Sequence, residues 1–441
     1  MIFKRKIYDK MLKWKQEFNG NTALLIKGAR RIGKSTIVEE FAKNEYESYI
    51  NIDFSIASQE IKKLFLDLSD LDLFFAKLQL LMNTTLIERK SVVIFDEVQL
   101  YPLARQAIKH LVKDGRYDYI ETGSLLSIKK NIKDILIPSE ETRINMYPMD
   151  YEEFMWAFGK DINMTEKFFK EQKKLGDDIN RKLMMDFRVY MLVGGMPQAV
   201  LEYIKTNNFM KVDNIKRNIL ELYLEDFRKI DPSGRASLIF SNIPAQLNKK
   251  SSRYNVSSVL PNYRAQDIEN IIEDMKDSMT INICYNIDNP DIGMNFTKDI
   301  NKYKMFLSDT GLFVTLAFMD KDFTENEIYK KFISNKLSTN LGYVYENALA
   351  QILKANGNEL FYHTMRSKTS NHSYEVDFII SKQNKICPIE VKSSNYIRHA
   401  SLDYFIEKYS KKILNKYLVY TKDLRKENNI LMIPIYMAIF I

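Results

Sequence analysis

Nine consecutive residues constrain this chain more than anything else in it. Gly28-Ala29-Arg30-Arg31-Ile32-Gly33-Lys34-Ser35-Thr36 follow the apolar run TALLIK and lead into the helix-period segment IVEEFAKNEY. The pattern is G-x-x-x-x-G-K-[ST], and a strand before it with a helix after it is the context its mechanics require. Gly28 and Gly33 let the backbone turn tightly, so that successive amides and the helix N-terminus face the phosphates of a nucleotide. Lys34 supplies a point charge there, and the Ser35 hydroxyl is of the type that ligates magnesium.

A second run points to the same edge. In SVVIFDEVQL four apolar β-formers deliver Asp96 and Glu97 to a strand end, where α/β sheets place their ligands. Asp96 is expected to hold magnesium through water, and Glu97 to orient and activate the attacking water. The run YDYIETGSLL ends in Thr122-Gly123-Ser124, small polar groups of which Thr122 is the candidate sensor of a γ-phosphate, although an ordinary strand-end turn reads the same way. Arg143, just before the last expected strand, is a candidate arginine finger for a neighbouring subunit or else a surface arginine.

Around these motifs the pattern is α/β. TALLIKG, YESYINIDF, SVVIFDE, YDYIETGS and RINMY read as five strands of a parallel sheet, with amphipathic segments between them. At 441 residues the chain is too long for one ordinary core. The expected division is a P-loop ATPase core over 1–148, a helical lid or linker over 149–235, a winged-helix-like module over 236–305, and a further α/β domain over 306–441. The turn Gly194-Gly195-Met196-Pro197 ends one helix and aims the next. Lys249, Lys250, Arg253 and Arg264 cluster in the winged-helix segment and read either as phosphate contacts or as a solvated face.

The chain resembles the large prokaryotic family of AAA-type ATPases that carry a C-terminal domain of unknown function with a restriction-nuclease-like core. GARRIGKST, the acids of FDEVQ, the TGS strand end, NMYPMDYEEF, VGGMPQAV, SDTGL, GYVYENALAQIL and VDFII followed by IEVKS carry the likeness over nearly the whole length. Ser35 stands where many members have threonine, and either hydroxyl serves the metal. The resemblance implies an ASCE-type sheet, with the sensor strand beside the P-loop strand, and ATP with Mg2+ as the nucleotide complex.

Asp377 and, thirteen positions later, Glu390-x-Lys392 lie on two successive expected strands, with Glu346 on the preceding helix. The arrangement is similar to the PD-(D/E)xK nuclease core. Period-two alternation puts Glu390 and Lys392 on one strand face, so that Asp377 and Glu390 would share a second divalent ion while Lys392 positions the attacking water. A buried charge network in a scaffold without catalysis fits the same residues, so nuclease activity stays open.

Composition narrows the remaining classes. No run approaches roughly 18 uninterrupted apolar residues, and the N-terminal MIFKRKIYDKMLKWK reads as a basic amphipathic helix without a signal peptide's apolar block, so a cytoplasmic chain with no membrane partner is expected. Cys284 and Cys387 offer no metal-ligand spacing and read as buried thiols, and the four histidines fall in no metal pattern. A net charge of +8 favours phosphate-bearing partners without deciding for DNA. Two functions follow: an ATPase that drives DNA-associated C-terminal modules, or an ATP-dependent signalling or assembly switch on protein partners with an inert nuclease-like scaffold. Assembly into a homo-oligomer is left open.

Overall fold

The computed structural model describes residues 1–123, 139–249, 251–319, 329, 332–334, 342–366, 373–393 and 398–441. Ser124, Lys250 and His372 lie outside the described residues. The chain divides into two compact units, Met1–Tyr147 and Pro148–Ile441. The first unit ends one residue before the expected boundary at 148.

The first unit opens with α1 (Ile7–Phe18), followed by β1 (Ala23–Lys27), α2 (Lys34–Glu45), β2 (Ser48–Asp53), α3 (Gln59–Leu64), α4 (Leu71–Met82) and β3 (Ser91–Asp96). It continues with α5 (Pro102–Asp114), β4 (Asp118–Gly123) and β5 (Glu141–Asn145). The strands form one sheet in the order β2-β3-β4-β1-β5, and every pair is parallel. All six residues of β3 are buried, as an inner strand covered by helices on both faces requires. One face of the sheet is packed by an aromatic cluster in which Phe54, Phe65 and Phe95 meet edge to face, with centroids 5.6–5.9 Å apart. Pro102 starts α5 and Gly115, at φ +77°, closes it, so the chain returns to the sheet in time for β4.

The second unit begins with helices α6 (Tyr151–Ala157), α7 (Asn163–Lys170), α8 (Asp177–Val193), α9 (Pro197–Thr206) and α10 (Phe209–Ile230). These match the helical spacing read over 149–235. Then come α11 (Arg235–Ser241), α12 (Ile243–Asn248), α13 (Glu269–Asp277), β6 (Ile281–Ile287), β7 (Lys298–Leu307), α14 (Thr310–Ala317) and α15 (Gly342–Ala355). The chain ends with β8 (Leu360–Arg366), β9 (Ser373–Lys382), β10 (Lys385–Val391), α16 (Ala400–Tyr409), β11 (Tyr417–Tyr420), β12 (Arg425–Glu427) and β13 (Ile430–Pro434).

The winged-helix-like module over 236–305 requires correction. Its strand pair exists, with β6 antiparallel to β7, but β6 also pairs in parallel with β8. Both strands therefore join one eight-stranded sheet ordered β12-β13-β11-β10-β9-β8-β6-β7. The expected boundary at 305 falls inside β7. A two-stranded hairpin buries too little to stand alone, and joining a larger sheet satisfies the inner edge of β6. Lys249, Arg253 and Arg264 are exposed.

Two glycine motifs of the sequence meet in one packed junction. Asp309 is fully buried, accepts from Leu312 N at 2.8 Å as the cap of α14, and accepts from Gly195 N at 2.5 Å. A Cβ on Gly195 would stand 2.6 Å from Met149 N, and one on Gly311 would stand 2.6 Å from Gly194 Cα. VGGMPQAV and SDTGL therefore serve close backbone packing in this unit. Lys216, also fully buried, donates to Leu192 O at 2.6 Å and Gly311 O at 3.2 Å across the same junction.

Cys284 and Cys387 are buried free thiols. Among the described residues no helix is long and apolar enough to cross a membrane.

Candidate functional site

The loop after β1 is held by its own apolar residues. Ala29 and Ile32 are buried, while Arg31 and Gly33 take left-handed backbone, at φ +69° and +92°. Gly28 has a different reason to be glycine. A Cβ there would strike the Ile32 side chain and stand 2.5 Å from Met146 O, so close packing rather than turn geometry requires it. The sequence reading missed Arg5, whose guanidinium donates to Ile32 O at 2.9 Å and Tyr147 O at 2.7 Å. That arginine precedes α1 and steadies the loop from behind, whereas in sequence the N-terminus reads only as a basic amphipathic helix.

Lys34, the first residue of α2, is buried and donates to Gly28 O at 3.0 Å and Ala29 O at 2.9 Å. Burial lowers its ammonium to about 8, while the charges of Glu97 and Asp96 hold it up. The cation thus rests on loop carbonyls beside the first amides of α2. Ser35 Oγ donates to Asp96 Oδ1 at 2.8 Å, across from β3. A hydroxyl and a carboxylate oxygen at this spacing are hard oxygen donors that suit Mg2+, directly or through water. Thr36 is exposed on the same turn.

Because β4 lies between β1 and β3, Thr122 reaches both motif ends. Its hydroxyl donates to Asp96 Oδ1 and accepts from Glu97 N at 3.4 Å. Thr122 is fully buried and engaged with Asp96, a tie between strand ends. Glu97 adopts left-handed backbone at φ +52°, a conformation that costs a non-glycine residue on the order of 1 kcal/mol. Gln99 donates to its carboxylate. Gln99 also went unassigned in sequence, although it stands two residues along in the same motif.

Arg143 sits inside β5, in register with Leu25, rather than before the strand. Its Nε donates to Glu141 Oε1 at 2.5 Å. Arg105 of α5 holds the same carboxylate at 2.9 Å and lies 3.7 Å from Glu121. Burial and the charge of Glu141 push Glu121 well above the usual carboxylate range. Arg143 is therefore paired within its own chain.

In the second unit, a cavity of about 380 Å³ collects Glu346 of α15, Asp377 of β9 and Lys392 just after β10. It adds three residues that the motif did not single out, Lys304 of β7, Glu375 of β9 and Arg398. Glu390 is not on its wall; its Oε1 faces Lys392 Nζ at 2.8 Å, and its Oε2 is buried without a hydrogen-bond partner among the described residues. Asp377 Oδ2 accepts from Val391 N at 2.8 Å, and Lys304 Nζ lies 2.5 Å from Glu375. The expected Asp377–Glu390 metal pair is thus engaged by Lys392 and a backbone amide. Among the described residues no three His, Cys, Asp or Glu side chains are grouped to hold a metal ion.

Residues 20–155 match a family model described as an AAA domain. The first unit is an AAA-type P-loop domain. Residues 184–322 match a domain of unknown function (DUF8612), and 341–438 match another (DUF4143). No curated protein matches the sequence. Among solved structures, the chain is similar to a Walker-type ATPase of Pyrococcus abyssi, at 16% identity over 71% of this chain and 96% of that one, with a TM-score of 0.43. A signal transduction ATPase with numerous domains from Pyrococcus horikoshii, carrying a tetratricopeptide repeat sensor, matches at 12% identity. That match covers 80% of this chain and 48% of the other, with a TM-score of 0.23.

Outside the AAA domain, the buried acids set a pH dependence. Burial, and next the charge of Asp377, push Glu390 up to about 8 against the pull of Lys392. Its folded value lies above that of an unfolded glutamate, so the stability it contributes is full below about pH 4 and is lost as pH rises through about 8. Glu390→Gln is expected to flatten this loss and to be more stable than the parent at pH 9 by on the order of a few kcal/mol. Urea midpoints measured across pH check it. Parallel profiles for parent and variant would remove Glu390 as the cause.

Proposed function

We propose that the AAA domain hydrolyses ATP and that its nucleotide state moves the DNA-associated C-terminal modules. The observation that carries the first half is the convergence of Lys34, Ser35, Asp96 and Glu97 at one edge of a parallel sheet. Lys34 exchanges the carbonyls of Gly28 and Ala29 for phosphate oxygens, which restores its charge partner in a buried setting. Magnesium, held with the nucleotide by Ser35 and through water by Asp96, would neutralise charge on the β- and γ-oxygens. Glu97, once released by Gln99, orients a water in line with the γ-phosphorus and accepts its proton as the new P–O bond forms. ADP leaves with the electron pair of the broken bond. The Thr122 hydroxyl keeps Asp96 aimed at Ser35, and Arg143 as a finger toward another copy remains part of this proposal only if its pair with Glu141 opens.

For the C-terminal unit, the proposal is metal-assisted phosphodiester hydrolysis at the cavity. The supporting observation is the acidic wall of the cavity, Glu346, Glu375 and Asp377, beside Lys392 and Lys304, with Glu375 Oε2 buried and without a hydrogen-bond partner among the described residues. A divalent ion would satisfy such oxygens, and Lys392 would position the water. Supercoiled plasmid incubated with magnesium or manganese is expected to be nicked by the full chain and by Lys34→Ala, but not by Asp377→Ala. Intact plasmid with the parent chain, or equal nicking by Asp377→Ala, would leave the cavity as an inert charge network and favour the switch acting on protein partners.

A further inference from the structure

The cavity on the C-terminal sheet holds a cation that its motif does not account for. Glu375 and Asp377 stand two residues apart on β9, so both carboxylates rise from one face, and Glu346 of α15 joins them on the wall. Three cations line the same wall, Lys304, Lys392 and Arg398. Lys392 is engaged with Glu390, which is off the wall, and Arg398 is exposed. Of the three, Lys304 is the one whose ion-pair partner among the described residues is itself on the wall.

Lys304 is part of the floor of the site rather than a surface side chain. It rises from β7, is 7% exposed, and its Nζ lies 2.5 Å from Glu375 Oε1 and 5.4 Å from the centre of the Tyr362 ring. The Tyr362 hydroxyl donates to Ser252 O at 2.5 Å, which fixes the ring beside the ammonium. Burial alone would lower this ammonium, but the charges of Glu375, Glu346 and Asp377 hold it above the usual lysine range. One positive charge thus serves three carboxylates. Glu375 Oε2 stays buried without a hydrogen-bond partner among the described residues, an oxygen that the single ammonium leaves unsatisfied.

A divalent ion needs the same carboxylates. With three acids and three cations the wall is already balanced, so further positive charge enters at a cost unless an ammonium leaves. We propose that Lys304 is an internal competitor for the metal: its ammonium neutralises Glu346, Glu375 and Asp377 in the ion's place, and the ion loads as that ammonium turns away from Glu375. A phosphodiester drawn into the cavity offers the displaced ammonium another anion, so substrate and metal favour each other's entry. The inference rests on the metal-assisted reading above and adds the control on it.

Mn2+ binding to the nucleotide-free full chain, followed by the electron paramagnetic resonance of the free ion, tests this. Asp377→Ala sets the background from the AAA domain. Above that background the parent is expected to bind weakly, and Lys304→Met at least about tenfold more tightly, as removal of one nearby unit charge implies. Lys304→Gln, a second neutral variant, is expected to show the same gain, and Lys304→Arg, which keeps the charge, to stay within about threefold of the parent. The gain should vanish in Lys304→Met combined with Asp377→Ala, which places it at the cavity. A cooperative thermal transition in each variant checks the fold. Equal affinity in the parent and either folded neutral variant, or an equal gain in Lys304→Arg, would overturn the proposal, as would low-micromolar binding by the parent that Asp377→Ala abolishes. Plasmid nicking is scored apart. Tighter Mn2+ binding without nicking keeps the competitor and removes the hydrolysis, while nicking with no gain in affinity removes the competitor alone. No binding above background in any variant, with plasmid left intact, overturns both.

Discussion

Lys34→Ala is expected to bind ATP about a hundredfold more weakly than the parent chain and to hydrolyse none of it measurably. The lysine is buried at the loop, within reach of the helix amides that would face the phosphates, so its loss removes a charge-assisted contact where little water is present to replace it. A hundredfold is about 2.7 kcal/mol, within the range of one such contact in a partly desolvated site. The fold should survive, because the residue brings a desolvation penalty of its own. Nucleotide-induced thermal shift checks both points, with the apo midpoint retained and the shift lost. The lowered ammonium adds a pH signature. ATP binds the protonated lysine, so affinity is full below about 8 and falls as pH rises through it in the parent, while the alanine variant lacks that fall.

Glu97→Gln is expected to leave nucleotide affinity unchanged and to slow turnover by roughly a hundred- to a thousandfold, the usual scale for losing a general base. Glutamine keeps the shape and an acceptor for Gln99, but it does not take a proton from water. The strained backbone at this position, left-handed in a residue that gains nothing from it locally, is consistent with a side chain held for chemistry rather than for packing. Affinity by fluorescent nucleotide titration and phosphate release on the same preparation separate the two effects. Weakened binding in this variant would mean that Glu97 is structural.

The legible parts of the fold were those with strong local signals. Four of the five strands in the AAA domain are short β-branched or aromatic runs ending in a polar turn and form where their pattern placed them, whereas β5 (Glu141–Asn145) lies two residues earlier than the expected RINMY. The P-loop motif, Asp96 and Glu97 stand out in sequence because each lies in a contiguous run. Gly28 was expected for a tight turn, whereas the structure shows a close approach to Met146 O, a contact between residues far apart in sequence. Arg5 and Gln99 were missed because a side-chain hydrogen bond to a distant carbonyl or a neighbouring carboxylate leaves no periodicity. The winged-helix expectation failed on pairing: β6 shows its local hairpin with β7 in the sequence, but its parallel partner β8 lies some 76 residues later, as Cys284 to Leu360. In the C-terminal cavity, Glu346, Asp377 and Lys392 were recognisable by motif. Lys304 and Glu375 were not, because they become neighbours only when β7 and β9 enter one sheet.

The central claim is that the loop from Gly28 to Thr36, with Asp96 and Glu97, hydrolyses ATP. The most direct measurement is phosphate release from saturating Mg-ATP by the full chain and by Glu97→Gln, on protein shown by titration to be nucleotide-loaded. The account predicts steady release from the parent and near silence from an equally loaded variant. Equal release from both, or a loaded parent that releases no phosphate, would contradict it.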